Sequence, residues 1–159
     1  MSRVRRPTPG LAPMLFYCLY FLPFAFAPHA QAGAVTTSTV NVILKEWSVI
    51  LDLPSVAAGH VKFQIKNDGP DDVHEFVLIK TDLAPEQLPV DANGAVDENG
   101  AGIDIIGEIE GIPLGTNIHT AAFDLAPGKY VLICNIYDAG EREAHYHEGM
   151  RAAFTVTGN

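Results

Sequence analysis

The stretch of sequence from Cys134 to Met150 contains several side chains that bind soft metal ions. It holds one thiol, Cys134, two imidazoles, His145 and His147, and one thioether, Met150. A thiolate with imidazole nitrogen and a weakly binding thioether suits copper. One more histidine would complete the two His, one Cys and axial Met of an electron-transfer copper centre. We expect His74 to be that histidine.

Strand patterns predict how His74 and Cys134 come together. The alternation over residues 73–80 places His74 at the start of an apolar face that continues through Phe76. Leu132 and Cys134 alternate toward the core in a later run, which brings the thiol to the end of a buried strand face. A histidine at one strand start and a cysteine at another strand end can meet at one end of a sandwich.

Short alternating runs separated by turn signals predict an all-β sandwich of about seven to eight strands. The alternation changes phase between residues 40 and 51, which predicts a strand interrupted by a bulge or bend. Residues 54–59 are expected to form a connector, and residues 61–66 a half-buried antiparallel strand. Residues 81–102 are expected to be an acidic surface loop between the middle strands, with one short helical turn near residues 84–88.

The first 32 residues have the layout of a secretory signal peptide. Three arginines precede an apolar run over residues 15–27, and Ala30-Gln31-Ala32 supplies small residues for cleavage before Gly33. An uncleaved anchor stays open as an alternative, although the apolar run contains Pro23 and is shorter than the roughly 20 residues of a membrane helix. We therefore expect an exported or periplasmic domain at 33–159, without stable membrane insertion after cleavage.

The predicted mature chain is strongly acidic. It keeps all 19 acidic residues but 7 of the 10 Lys and Arg, so its formal charge is −12 with histidine neutral. This charge argues against nucleic acid and anionic lipid as partners, and it would steer a basic redox protein toward the surface. Charge kept for solubility alone is the competing interpretation.

Cleavage would also leave Cys134 without a second cysteine, because Cys18 lies inside the signal segment. A lone thiol in an oxidising compartment cannot form an intramolecular disulfide. Metal coordination would protect it, whereas a buried inert cysteine is the simpler alternative. The neighbouring His and Met side chains favour coordination.

Nearly all of the mature chain resembles a cupredoxin of the plastocyanin or azurin type. Residues 59–67 resemble the strand that leads to the family's first histidine, here His74. Residues 125–130 resemble the approach to its cysteine, here Cys134. The family's closing pattern of a histidine, four residues, a methionine and a last strand is similar to the sequence from His145 onward.

This resemblance implies a monomeric Greek-key β-sandwich with one type 1 copper per chain. It implies that His74 and His145 supply imidazole, Cys134 a short thiolate bond and Met150 a long axial contact. One feature departs from the small carriers of the family, since ten residues separate Cys134 from His145. Residues 138–143 are interpreted as a polar insertion in this loop.

The choice between the two loop histidines rests on spacing. His145 leaves four residues before Met150, enough for the imidazole and the thioether to approach a metal from different directions. His147 leaves two, and would turn Glu148 inward, where a carboxylate is costly. His145 is therefore the predicted ligand, with His147 as the alternative.

Three functions are compatible with this donor set. The favoured one is an exported blue copper protein that carries single electrons between redox partners. The alternative is a periplasmic copper carrier or storage protein without redox turnover, although the chain lacks open Met-rich or His-rich tracts. An enzyme, such as a multicopper oxidase fragment, is disfavoured because His145-Tyr146-His147 is the chain's one His-x-His pair.

Overall fold

The structure is a computed structural model that describes residues 36–115 and 117–158. The predicted signal peptide at residues 1–32 lies outside the described residues. Within the described part of the chain, no helix has the length and apolar character needed to cross a membrane.

Two β-sheets form the domain. In spatial order, the first sheet consists of β2 (Ser48–Leu51), β1 (Thr36–Lys45), β4 (Gly59–Asn67) and β7 (His119–Leu125). The second consists of β3 (Ser55–Ala57), β11 (Arg151–Thr157), β8 (Gly128–Ile133), β5 (His74–Lys80) and β6 (Asp104–Ile112). The predicted all-β sandwich is confirmed, with short β2 and β3 adding to the expected strands.

Three small elements complete the described chain. A 3₁₀ turn at Pro85–Gln87 lies where the short helical turn was expected. Strands β9 (Tyr137–Asp138) and β10 (Glu143–Ala144) form a two-stranded hairpin. The single-turn helix α1 (His145–Glu148) follows directly and leads into β11.

Aromatic side chains fill the core between the sheets. Phe63 on β4 is fully buried, and its ring packs against the rings of Phe76, Phe123 and Phe154 at centroid distances of 5.4, 6.3 and 5.5 Å. The alternation that predicted β4 therefore places its apolar face against the opposite sheet. Burial of such side chains supplies the main driving force for folding.

The acidic loop between β5 and β6 was expected on the surface, and it also contributes side chains to a second apolar cluster. Leu88 and Val96 from this loop pack with Tyr146 on the outer face of the second sheet. Val77 and Ile79 of β5 are buried beneath them, so β5 is covered on both faces. This second apolar cluster explains why β5 is a nearly continuous apolar run.

Two local expectations were wrong, and a third was right in part. The phase change after Lys45 is a reversal of the chain, because β1 and β2 form an antiparallel hairpin in which Lys45 pairs with Ser48. Strand β4 is antiparallel only to β7, since it runs parallel to β1 on its other side. In addition, β3 lies within the expected connector and pairs in parallel with β11. Each pairing joins segments whose local pattern does not specify the partner.

Replacing Phe63 with alanine should lower the free energy of unfolding by about 3–5 kcal/mol, because the substitution leaves a cavity between the sheets. The measurement is chemical denaturation of the metal-free domain. Ile118→Ala is the control, since Ile118 is 55% exposed and its truncation should cost less than about 0.5 kcal/mol. Equal losses in the two variants would contradict the assignment of Phe63 to the core.

Candidate metal centre

Strand pairing brings two of the predicted ligands to the same end of the sandwich. His74 is the first residue of β5, and Cys134 directly follows β8. These strands pair antiparallel, with Val77 opposite Ile133. The start of β5 therefore lies beside the end of β8, as the sequence predicted.

Backbone hydrogen bonds fold the following loop over this end. The Cys134 N–H donates to the Met150 carbonyl at 3.1 Å, and the Met150 N–H donates to the His145 carbonyl at 3.0 Å. The His145 N–H donates to the Ile136 carbonyl at 2.9 Å. The β9–β10 hairpin holds the intervening polar residues outside this closure. The ten-residue spacing between Cys134 and His145 is thus accommodated without separating them.

His74, Cys134 and His145 form a buried cluster of donor atoms. One ligand atom from each residue lies within 4.8 Å of the others. The Nδ1 atom of His145 is 3.3 Å from His74 Nδ1 and 3.3 Å from Cys134 Sγ. Met150 is fully buried and lies in the same apolar core as Cys134. Three soft or borderline donors that face one another in this way fit a single metal ion.

Burial keeps the metal-free cluster neutral. It raises the pKa of the Cys134 thiol to about 12, and it lowers the pKa of His74 and of His145. The Glu75 N–H donates to Cys134 Sγ at 3.2 Å, which holds the sulfur in place. Because a thiolate is the metal ligand, binding a metal would release a proton from Cys134.

Asn135 connects the cluster to the loop that covers β5. Its Oδ1 accepts the Val96 N–H at 2.6 Å, and its Nδ2 donates to the Val96 carbonyl at 3.1 Å. Its backbone N–H donates to Glu75 Oε2 at 3.2 Å. Burial raises the pKa of this Glu75 carboxyl to about 7. Asn135 therefore holds in place both the loop that covers β5 and the side chain of Glu75, which follows His74 in the chain.

The turn between β1 and β2 supplies contacts that the sequence did not reveal. Glu46 Oε1 lies 3.5 Å from His74 Nε2, and the Trp47 ring packs edge-on against the His145 ring at 5.1 Å. Gly149 adopts a φ of 130°, and a Cβ there would press on the Trp47 carbonyl. In the sequence, this turn was indicated only by the change of phase in the apolar–polar alternation after Lys45.

The remaining histidines of the described chain lie apart from the cluster. His147 is exposed, and Arg151 lies against the carbonyls of His147 and Tyr146. His60 pairs with Asp124 at the surface, at 2.9 Å. His119 sits on β7 opposite Ile65. The geometry thus groups His145, rather than His147, with Cys134 and His74, while the ligand assignment stays a prediction.

An open depression of about 410 Å³ reaches the cluster from the surface. His145 forms part of its lining together with the carboxylates of Asp71, Asp72 and Asp138. A group that approaches His145 from outside therefore meets a negative potential.

Comparison with known proteins identifies the fold. No protein-family model and no curated protein matches the chain. Reduced auracyanin from Roseiflexus castenholzii matches with a TM-score of 0.51 and 20% identity, over 77% of this chain and 98% of that one. Rusticyanin from Thiobacillus ferrooxidans matches with a TM-score of 0.53 and 14% identity, over 76% and 77% of the two chains. Both proteins are cupredoxins, so the predicted resemblance is confirmed at the level of the fold.

His145→Ala should greatly weaken binding of added copper, whereas His147→Ala should leave it nearly unchanged, because only His145 faces Cys134 and His74. Electron paramagnetic resonance of each variant with Cu(II) is the measurement. Loss of the narrow type 1 hyperfine pattern in the His147 variant alone would reverse the assignment.

Proposed function

We propose that this cupredoxin-fold domain is an exported type 1 copper protein that carries single electrons between redox partners. The observation that carries the proposal is the buried cluster of His74, Cys134 and His145 at one end of the sandwich, with the Met150 backbone hydrogen-bonded to Cys134 and His145. The central experiment is to add Cu(II) to the purified mature domain and to record a visible spectrum and a voltammogram. An intense thiolate-to-copper band with a reversible one-electron wave is the expected result.

The donor set supports copper over the other common metals. A neutral imidazole pair, one thiolate and a long thioether contact form the ligand set of electron-transfer copper sites. Bound copper would supply the exchange between two oxidation states. The auracyanin and rusticyanin structures include reduced forms, and both proteins are blue copper proteins. These proteins support the same type of metal for this chain.

The rigidity of the cluster supports electron transfer as the use of the metal. His74 begins β5 and Cys134 directly follows β8, which pairs with β5, while His145 and Met150 are tied to each other by a backbone hydrogen bond. The Cys134 sulfur also accepts a backbone N–H from Glu75. A site whose ligands are held in this way changes little between oxidation states, so the reorganisation that accompanies each electron is small.

The burial of the cluster favours this role over copper storage. All three donor residues are buried, whereas a protein that delivers metal to a partner needs an exchangeable, open site. A colourless copper complex would instead favour the storage alternative. An electron carrier of this kind catalyses no reaction of its own.

Export and partner choice belong to the same proposal. Signal-like residues 1–32 and Cys134, the one cysteine of residues 33–159, support a periplasmic or otherwise exported location. The acidic lining of the depression over His145, together with the charge of −12 on residues 33–159, supports a redox partner with a basic docking surface. We expect the carrier to act as a monomer.

Cys134→Ser should abolish the intense charge-transfer band, because a serine oxygen cannot replace the thiolate donor. Circular dichroism should show that the domain stays folded, since the apolar cores supply most of the stability. A Ser variant that keeps the colour would show that Cys134 is not the ligand.

Met150→Leu should retain copper but shift its reduction potential, because the thioether would be a weak copper ligand and leucine preserves the buried volume. The measurements are copper content and voltammetry of the purified variant. A Leu variant that purifies folded but entirely without copper would contradict an axial role.

Electron exchange with a basic acceptor should slow as salt increases, because the screening length falls to about 8 Å at physiological ionic strength. Stopped-flow rates across a salt series measure the effect. The double variant Asp71→Asn, Asp138→Asn should flatten the salt dependence more than Asp82→Asn, Asp104→Asn, whose residues line a depression where β5 ends and β6 begins. Wild-type rates that do not respond to salt would remove the case for electrostatic steering.

A further inference from the structure

Glu46 places a carboxylate beside the first predicted ligand. Its Oε1 atom lies 3.5 Å from the Nε2 atom of His74. The His74 side chain is 0% exposed and the Glu46 side chain 11% exposed, so the contact is shielded from water. At this depth a charge–dipole interaction is stronger than it would be at the surface.

The surrounding chain holds Glu46 in this position. Glu46 Oε1 accepts the backbone N–H of Asp72 at 2.7 Å and that of Asp71 at 3.3 Å. Gly69 leaves room for the carboxylate, because a Cβ at that position would overlap it. The loop that precedes β5 is therefore shaped around the Glu46 side chain.

Two buried polar atoms on this pair have no hydrogen-bond partner among the described residues, namely His74 Nε2 and Glu46 Oε2. Buried polar groups are rarely left unsatisfied in folded proteins. The two groups lie next to each other, since Nε2 is 3.5 Å from the other oxygen of the same carboxylate. The opposite nitrogen of the same ring, His74 Nδ1, faces His145 within the metal cluster.

We propose that Glu46 is a positioning residue for His74: the Glu46 carboxylate accepts a hydrogen bond from the His74 Nε2–H, which leaves the Nδ1 lone pair free to bind a metal. This inference rests on the proposed copper function. A carboxylate that accepts the distal N–H of a ligating histidine fixes the tautomer and ring orientation and makes the ligand more basic. A more basic ligand and a nearby negative charge stabilise Cu(II) relative to Cu(I), so Glu46 lowers the reduction potential.

A positioning role for Glu46 differs from a purely structural role in the loop before β5. A structural Glu46 would hold the backbone of Asp71 and Asp72 and leave the electronic state of His74 unchanged. Glutamine retains the volume of the side chain and an oxygen that accepts those N–H groups. Glu46→Gln therefore removes the charge while leaving the structural contacts in place.

The first test compares the reduction potentials of copper-loaded Glu46→Gln and wild type. We expect the ratio of Cu(II) to Cu(I) affinity to fall roughly tenfold, which raises a one-electron potential by about 59 mV. Glu108→Gln is the matched control, because it makes the same charge change at an exposed position on β6. A potential that moves no further in Glu46→Gln than in the control overturns the proposal.

The second test uses the metal-free protein and needs no redox measurement. Long-range proton–nitrogen correlation spectra of the labelled protein report which ring nitrogen of His74 carries the proton. We expect the Nε2–H tautomer in wild type and a mixture of tautomers in Glu46→Leu, which lacks the acceptor. Gly69→Ala should produce the same mixture, because the added methyl displaces the carboxylate. An Nδ1–H tautomer in wild type overturns the proposal even if a variant fails to fold.

The two tests separate this inference from the proposed function. Wild-type protein that gives no blue band with Cu(II) would end the proposed function, while the tautomer of His74 would still decide the role of Glu46. A blue wild type with an unaltered Glu46→Gln potential would leave the carrier intact and remove Glu46 from it.

Discussion

The antiparallel pairing of β5 with β8 is the interaction on which the rest of the metal centre depends. It sets Val77 opposite Ile133, and from there the start of β5 and the end of β8 converge at one end of the domain. The Glu75 N–H reaches the Cys134 sulfur directly across this pair. Apolar clusters on both faces of β5 fix the register, because a slip of one residue would exchange the two buried faces.

A neutral, desolvated cluster is the electrostatic consequence of that packing. Burial disfavours the thiolate form of Cys134 and the imidazolium forms of His74 and His145, so the three metal-free donor side chains are neutral. The nearby carboxylates lie outside the cluster, at Glu46, at Glu75 and around the depression over His145. Among the described residues, the cluster of mutually close donor atoms therefore includes no acidic oxygen, which favours a soft metal over a hard one.

The sequence predicted the parts of this centre that depend on local pattern and ligand type. The alternation before Cys134 and after His74 specified strand faces, and the spacing to Met150 favoured His145 over the exposed His147. The β1–β2 turn was missed, because a change of phase is equally compatible with a bulge and with a hairpin. The parallel pairs β1–β4 and β3–β11 were missed since partner choice between distant strands is decided by tertiary packing.

The β9–β10 hairpin has a practical consequence for protein engineering. Residues 139–142 at its tip are exposed, and Asp138 closes the turn by accepting the N–H groups of Gly140 and Glu141. His145 is anchored separately, through its own N–H to the Ile136 carbonyl. Exposed loop tips whose ends are independently held tolerate inserted sequence. A peptide tag or a small reporter domain grafted at Gly140 would therefore sit close to the metal end of the molecule while the donor atoms kept their arrangement.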